Sequence, residues 1–285
     1  MEAIAVKELS AGYEEQTVIE KLDLSILKGK INIIVGSNGC GKSTLLKSIV
    51  GVIKPQNGHI SINGKDIAKQ KEKVLATQIA FLPQEPICPS GLTVRELVAY
   101  GRFPYQKSFG GLSKHDRHMI DWAIQETELE DLSDRKVEAL SQGQRQRVWI
   151  AMTIAQETDI ILLDEPTTYL DLSYQQEILQ LLSKLNKQAG FTIVMVLHEL
   201  NNACRYADNI IGLKHGKLIC QGSPCEAITR ESLSELYGIE AKLQLSEDKR
   251  YPICLEYEVI KRETLLIGCT KKCDLNCKHR KIAPV

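Results

Sequence analysis

Gly36-Ser37-Asn38-Gly39-Cys40-Gly41-Lys42-Ser43-Thr44 stands between the apolar run Ile31-Asn32-Ile33-Ile34-Val35 and the segment Leu45-Leu46-Lys47-Ser48-Ile49-Val50. The first run reads as a buried strand and the second as a helix stopped by Gly51. Strand, glycine-rich loop, Lys-Ser and helix make a phosphate-binding P-loop. Glycines let the backbone curl so that successive N–H groups face one anion. The helix behind them adds roughly half a positive charge at its N-terminus. Lys42 supplies a full charge to the outer phosphates, and the Ser43 hydroxyl suits Mg²⁺. Cys40 lies inside this cradle, so a bulky thiol reagent is expected to inhibit and nucleotide to protect.

The bulk composition narrows the function. The chain has 285 residues, enough for one or two domains, and carries 36 basic and 36 acidic side chains. Net neutrality gives no pull toward nucleic acid or anionic lipid. No apolar run reaches the roughly 18 residues needed to cross a bilayer. The start, Met1-Glu2-Ala3-Ile4-Ala5, lacks a basic region ahead of an apolar one, so a secretory signal is not expected and the chain reads as cytosolic. Nine cysteines in such a chain are expected to be reduced.

On the N-terminal side of the loop, apolar and polar residues alternate at Ile4, Val6 and Leu9, then at Val18, Ile19, Leu22, Leu24 and Ile26. Lys28-Gly29-Lys30 reads as a turn, and the pattern as a mostly antiparallel sheet. It continues at His59–Ile62 between the turn pairs Asn57-Gly58 and Asn63-Gly64. Tyr13 falls in the loop after the first strand, where its ring could stack on an adenine.

On the C-terminal side, Phe81-Leu82-Pro83-Gln84 ends a short strand in an uncharged amide that can enter a metal shell at low electrostatic cost. From Thr93 the period becomes helical, opening on the capping box Thr93-Val94-Arg95-Glu96, with a second helix over 113–128. Strand signals on both sides make this a helical insert in an α/β core. Gly101-Arg102-Phe103-Pro104-Tyr105 reads as a loop exposing aromatics, either packed locally or docking a partner. Leu140-Ser141-Gln142-Gly143-Gln144 opens another helix with Ser141 as N-cap, a second anion-binding end. One nucleotide needs one P-loop, so the extra end points to two chains sharing each nucleotide.

Ile160–Leu163 is a fully apolar strand ending in Asp164 and Glu165, at the carboxyl edge where ligands of parallel sheets bind. Alternation sends the two acids to opposite faces. Asp164 suits the Mg²⁺ shell and Glu165 can polarise an attacking water, with Pro166 expected to keep Glu165 extended. Asp171 precedes a helix over 172–189, and His198 stands at the end of the strand 191–197, on the same edge, within reach of a γ-phosphate. Beyond 240, two short β-like runs precede a basic tail with Cys269, Cys273, Cys277 and His279. These could hold Zn²⁺ or an iron–sulfur cluster. Their spacing matches none of the tight C-x₂-C knuckles, so a disordered thiol-bearing tail is the expectation and a metal the alternative.

With these motifs in order, the sequence resembles an ATP-binding-cassette (ABC) ATPase over roughly 1–240. Tyr13 matches the family's adenine-stacking aromatic, Gly36, Ser37, Asn38, Gly39, Cys40, Gly41, Lys42, Ser43 and Thr44 its Walker A, and Gln84 its Q-loop. Residues 140–144 match the signature with Gln142 in place of glycine, 160–165 the Walker B, Asp171 the D-loop and His198 the switch histidine. The resemblance implies an α/β P-loop core with an antiparallel β subdomain and an α-helical subdomain inserted at about 90–157. It implies ATP and Mg²⁺ as ligands, Ser43, Gln84 and Asp164 around the metal, and Lys42, Glu165 and His198 in catalysis. It also implies a head-to-tail second copy that supplies Ser141, Gly143 and Gln144. Tyr100–Tyr105, Gln144–Met152 and 164–171 look like the ATPases of iron(III)-siderophore, haem and vitamin B12 importers. That implies two transmembrane permease subunits, an indirect substrate-binding protein, and a place at the cytoplasmic face of the membrane. An importer for another substrate, a soluble ABC ATPase acting on ribosomes or nucleic acid, and a P-loop kinase are the competing readings.

Overall fold

Every residue of β3 (Ile31–Val35) is buried, which a strand reaches only when both faces of its sheet are covered. A computed structural model describes residues 1–14, 16–106 and 111–260. In it β3 lies between β8 (Thr192–Val196) and β9 (Asn209–Lys214), both parallel to it. β7 (Ile160–Leu163) and β6 (Ile79–Leu82) extend the parallel sheet beyond β8, and β10 (Lys217–Gly222) closes the other edge antiparallel to β9. Alternate residues of β3 feed two cores. Ile33 and Val35 join one cluster with the helices, while Ile34 joins the other with the N-terminal strands.

The N-terminal alternation produces a second sheet, ordered β2-β1-β4-β5 from β1 (Glu2–Tyr13), β2 (Gln16–Leu27), β4 (Asn57–Ile62) and β5 (Lys65–Asp66). The turn at 28–30 links two sheets rather than two strands of one, because β3 is drawn into the parallel layer. Asn63-Gly64 makes the expected turn, with both residues at positive φ. Asn57-Gly58 does not. Gly58 sits within β4 opposite a register shift between Lys7 and Ser10, where a Cβ would lie 2.3 Å from the Glu8 carbonyl oxygen. That glycine serves a bulge.

Helix α1 (Lys42–Ile49) follows β3, and α2 (Glu72–Leu75) precedes β6. Between β6 and β7 run α3 (Val94–Ala99), α4 (Lys114–Glu126) and α5 (Gln142–Ala155). Capping boxes at Thr93, Ser113 and Ser141 start all three. Tyr100–Tyr105 is a 3₁₀ helix rather than a loop. Its Arg102 is 1% exposed and donates to Asp116, the Ala155 carbonyl and Glu157. Only Phe103 and Tyr100 stand well out of it.

Helix α6 (Leu172–Ala189) leads into β8, and α7 (Leu200–Tyr206) into β9. After β10 come α8 (Pro224–Ala227), α9 (Arg230–Tyr237) and the hairpin β11 (Ile239–Leu245)–β12 (Pro252–Val259). The hairpin is tied to α7 by the Asn201 amide, which bonds the Cys254 backbone in both directions. The expected division near 240 falls at the start of β11. Cys269, Cys273, Cys277 and His279 lie outside the described residues.

Candidate functional site

The loop after β3 is held open by close backbone approach. At Gly36 (φ 148) a Cβ would sit 2.1 Å from the Leu213 carbonyl oxygen, so only glycine fits. Gly41 (φ 107) caps α1 in a conformation that L side chains rarely adopt. The Lys42 ammonium, 5% exposed, donates to the carbonyls of Gly36 (2.9 Å) and Ser37 (3.0 Å) and so closes the curl. Cys40 contributes backbone only: its carbonyl accepts from Gly216, and its thiol is buried in the core behind the loop. The thiol faces the core, so the expected reagent sensitivity loses its basis.

The parallel sheet delivers the remaining groups at the carboxyl ends of its strands. Asp164, just past β7, accepts from Ser43 Oγ at 3.1 Å. Burial raises its pKa, against the Ser43 hydrogen bond that lowers it. Glu165 meets a different set of partners. One carboxylate oxygen pairs with His198 Nε2 at 2.5 Å, and the other accepts from Gln84 Nε2 at 2.7 Å and Thr168 Oγ1 at 3.0 Å. Glu165 is not extended, contrary to the expectation from Pro166. It takes the left-handed region at φ 53, and the peptide bonds of 165–168 form a turn closed by Thr168 N–H on the Glu165 carbonyl.

A cavity of about 670 Å³ opens over these groups, lined by Asn38, Gly39, Gly41, Lys42, Ser43 and Thr44 on one side and Gln84, Glu165 and His198 on the other. Tyr13, the last residue of β1 rather than a loop residue, borders it half exposed. Gly36, Ser37, Cys40 and Asp164 support the lining from behind. Ser141, Gly143, Gln144 and Asp171 do not line it. Ser141 and Gln144 cap α5 reciprocally, and Asp171 caps α6 through the Tyr174 N–H.

The ABC transporter family model matches residues 19–168, just over half of the chain. The chain belongs to the ABC transporter family. Over 267 residues it is 48% identical to the iron(3+)-hydroxamate import ATP-binding protein FhuC of Bacillus subtilis, covering 94% of this chain and 99% of that one. Among solved structures it resembles a metal-chelate type ABC transporter in an inward-facing conformation, with TM-score 0.76, 29% identity and coverage of 90% and 98%. It also resembles the dimeric bacterial ABC transporter cassette MJ0796, with TM-score 0.67, 32% identity and coverage of 77% and 98%.

The chain is thus an ATP-binding ATPase with the ABC ATPase fold. Val18, Thr168 and Tyr169 also line the cassette's cavity, and sequence reasoning passed over all three. Val18 carries no polar signal at all. Thr168 and Tyr169 lie in the segment read only for its acids, and the turn that lifts them beside Glu165 depends on a positive φ that Pro166 argued against.

Proposed function

We propose that this ABC ATPase powers uptake of an iron-siderophore or similar metal chelate through separate membrane subunits. The observation that carries the reading is the convergence of Lys42, Ser43, Gln84, Glu165 and His198 on one cavity, together with near full-length similarity to a ferric hydroxamate import ATPase. Lys42 and the loop amides from 36 to 44 would hold the triphosphate, with Tyr13 against the adenine. The Ser43 hydroxyl, the Asp164 carboxylate 3.1 Å from it and the uncharged Gln84 amide offer hard oxygen donors, the chemistry Mg²⁺ selects. Bound Mg²⁺ would offset the charge of the phosphate oxygens. Glu165 accepts the proton of the attacking water, and His198 contacts the terminal phosphate. Ser141, Gly143, Gln144 and Asp171 act on the nucleotide of a second copy arranged head to tail.

Residues 1–240, with the helical part at about 90–157, form the ATPase unit, and 241–285 an extension. The pair docks two permease subunits at the cytoplasmic face of the membrane, and these in turn meet a substrate-binding protein. Among the described residues no helix is long and apolar enough to cross a membrane.

Uptake assays test the reading. Cells lacking this chain should lose uptake of one class among ferric hydroxamate, ferric catecholate, haem and cobalamin. The wild-type chain should restore it and Glu165→Gln should not. Undiminished uptake of all four, or full rescue by Glu165→Gln, overturns the proposal.

A further inference from the structure

We infer that Thr168 is a positioning residue that holds the Glu165 carboxylate in its working orientation. This rests on Glu165 being the base, as proposed above. Three side chains hold that carboxylate, and they differ in what carries them. Gln84 arrives from the segment after β6 and His198 from the segment after β8, so each parts from Glu165 whenever those segments shift. Both also have other duties in the reading above. Thr168 belongs to the turn that Glu165 begins, and its own N–H bonds the Glu165 carbonyl at 3.2 Å. Its hydroxyl reaches the carboxylate at 3.0 Å and its side chain borders the cavity.

A carboxylate on a left-handed residue needs such a holder. With φ at 53, the Glu165 backbone is already in a sparsely populated region, and the residue lies in no helix or strand that would fix its side chain. A hydroxyl on the same turn keeps one oxygen fixed while the other pairs with His198. Misplacement of a base by about an ångström lowers turnover without altering nucleotide affinity.

Steady-state hydrolysis and nucleotide titration by the full chain test the inference. Thr168→Val keeps the branched shape and removes only the donor. It should lower kcat about tenfold, one hydrogen bond's worth, with KM and ATP affinity unchanged. Thr168→Ser should return to within about twofold of wild type. Because the hydroxyl acts through Glu165, adding Thr168→Val to Glu165→Gln should lower the rate no further. Wild-type kcat in Thr168→Val overturns the inference, as does a serine variant as slow as the valine one, or losses that multiply in the double variant. Glu165→Gln itself turning over at the wild-type rate overturns the assignment of the base instead, so the two failures are told apart.

Discussion

The Cys40 thiol is 2% exposed, in the buried cluster formed with Leu45, Leu46 and the N-terminal strands. Burial raises its pKa, and the nearby Lys42 charge only partly opposes this. Since the thiolate is the nucleophile, native protein at neutral pH should alkylate exposed Cys225 well before Cys40, which should react only on unfolding. Peptide mass spectrometry over a time course checks this, and equal rates at the two positions would refute it. Lys42 behaves oppositely, since its charge, not its packing, is the asset. Its ammonium is poised on two loop carbonyls that a bound phosphate can replace. Lys42→Ala should weaken ATP binding by roughly 10- to 100-fold, the worth of a charged hydrogen bond, as read by titration with a fluorescent nucleotide.

Helices α5 and α6 are joined near their N-termini by two rungs about one turn apart. Gly143 packs against the Tyr174 ring so closely that a Cβ would lie 2.5 Å from it, and Arg147 donates to Glu177 at 2.8 Å. The start of the signature helix therefore moves with the helix that Asp171 caps. Gly143→Ala should destabilise the chain by about 1–3 kcal/mol in chemical denaturation, and Tyr174→Ala in the same chain should recover part of that loss. A Gly143→Ala chain as stable as wild type would dissolve the first rung. A second joint lies at Asp116. Burial alone would raise its pKa, but hydrogen bonds from Ser113 and Arg102 outweigh this and hold it at about 2. A depressed carboxylate stabilises above its unfolded pKa, so stability should fall between about pH 4 and pH 2, and less steeply once Arg102→Met removes one donor. The caps at Thr93 and Ser141 were legible because the cap signal is local. The 3₁₀ turn around buried Arg102 was not, since its partners Asp116, Ala155 and Glu157 lie 14 to 55 residues away.

At the scale of the molecule, β3, β7 and β8 were readable from their mostly apolar runs, and the ligand edge followed from Asp164 past β7 and His198 past β8. The sheet that receives β3 was harder to read, because short apolar strands fit either layer. The two helix N-termini read as anion-binding ends lie apart. The N-terminus of α1 lines the cavity, whereas the N-terminus of α5 does not. Among solved relatives of this fold is a dimeric cassette, and in the proposed head-to-tail pair the α5 end of one copy closes the cavity of the other. Exposed Gln142, the first residue of α5, gives a test that separates folding from pairing. No acid occupies the first turn of that helix. Gln142→Glu therefore complements the helix dipole and should leave Tm unchanged or slightly raised. The same carboxylate would face the partner's triphosphate, where like charges repel. In a Glu165→Gln background, which should keep ATP bound and the pair closed, ATP should drive the chain to twice its mass in sedimentation. Adding Gln142→Glu should raise the ATP concentration required at least about tenfold, while the affinity of the lone chain for nucleotide stays as it was. If dimerisation proves indifferent to the added charge, the α5 end does not face the neighbour's nucleotide, and the head-to-tail arrangement fails with it.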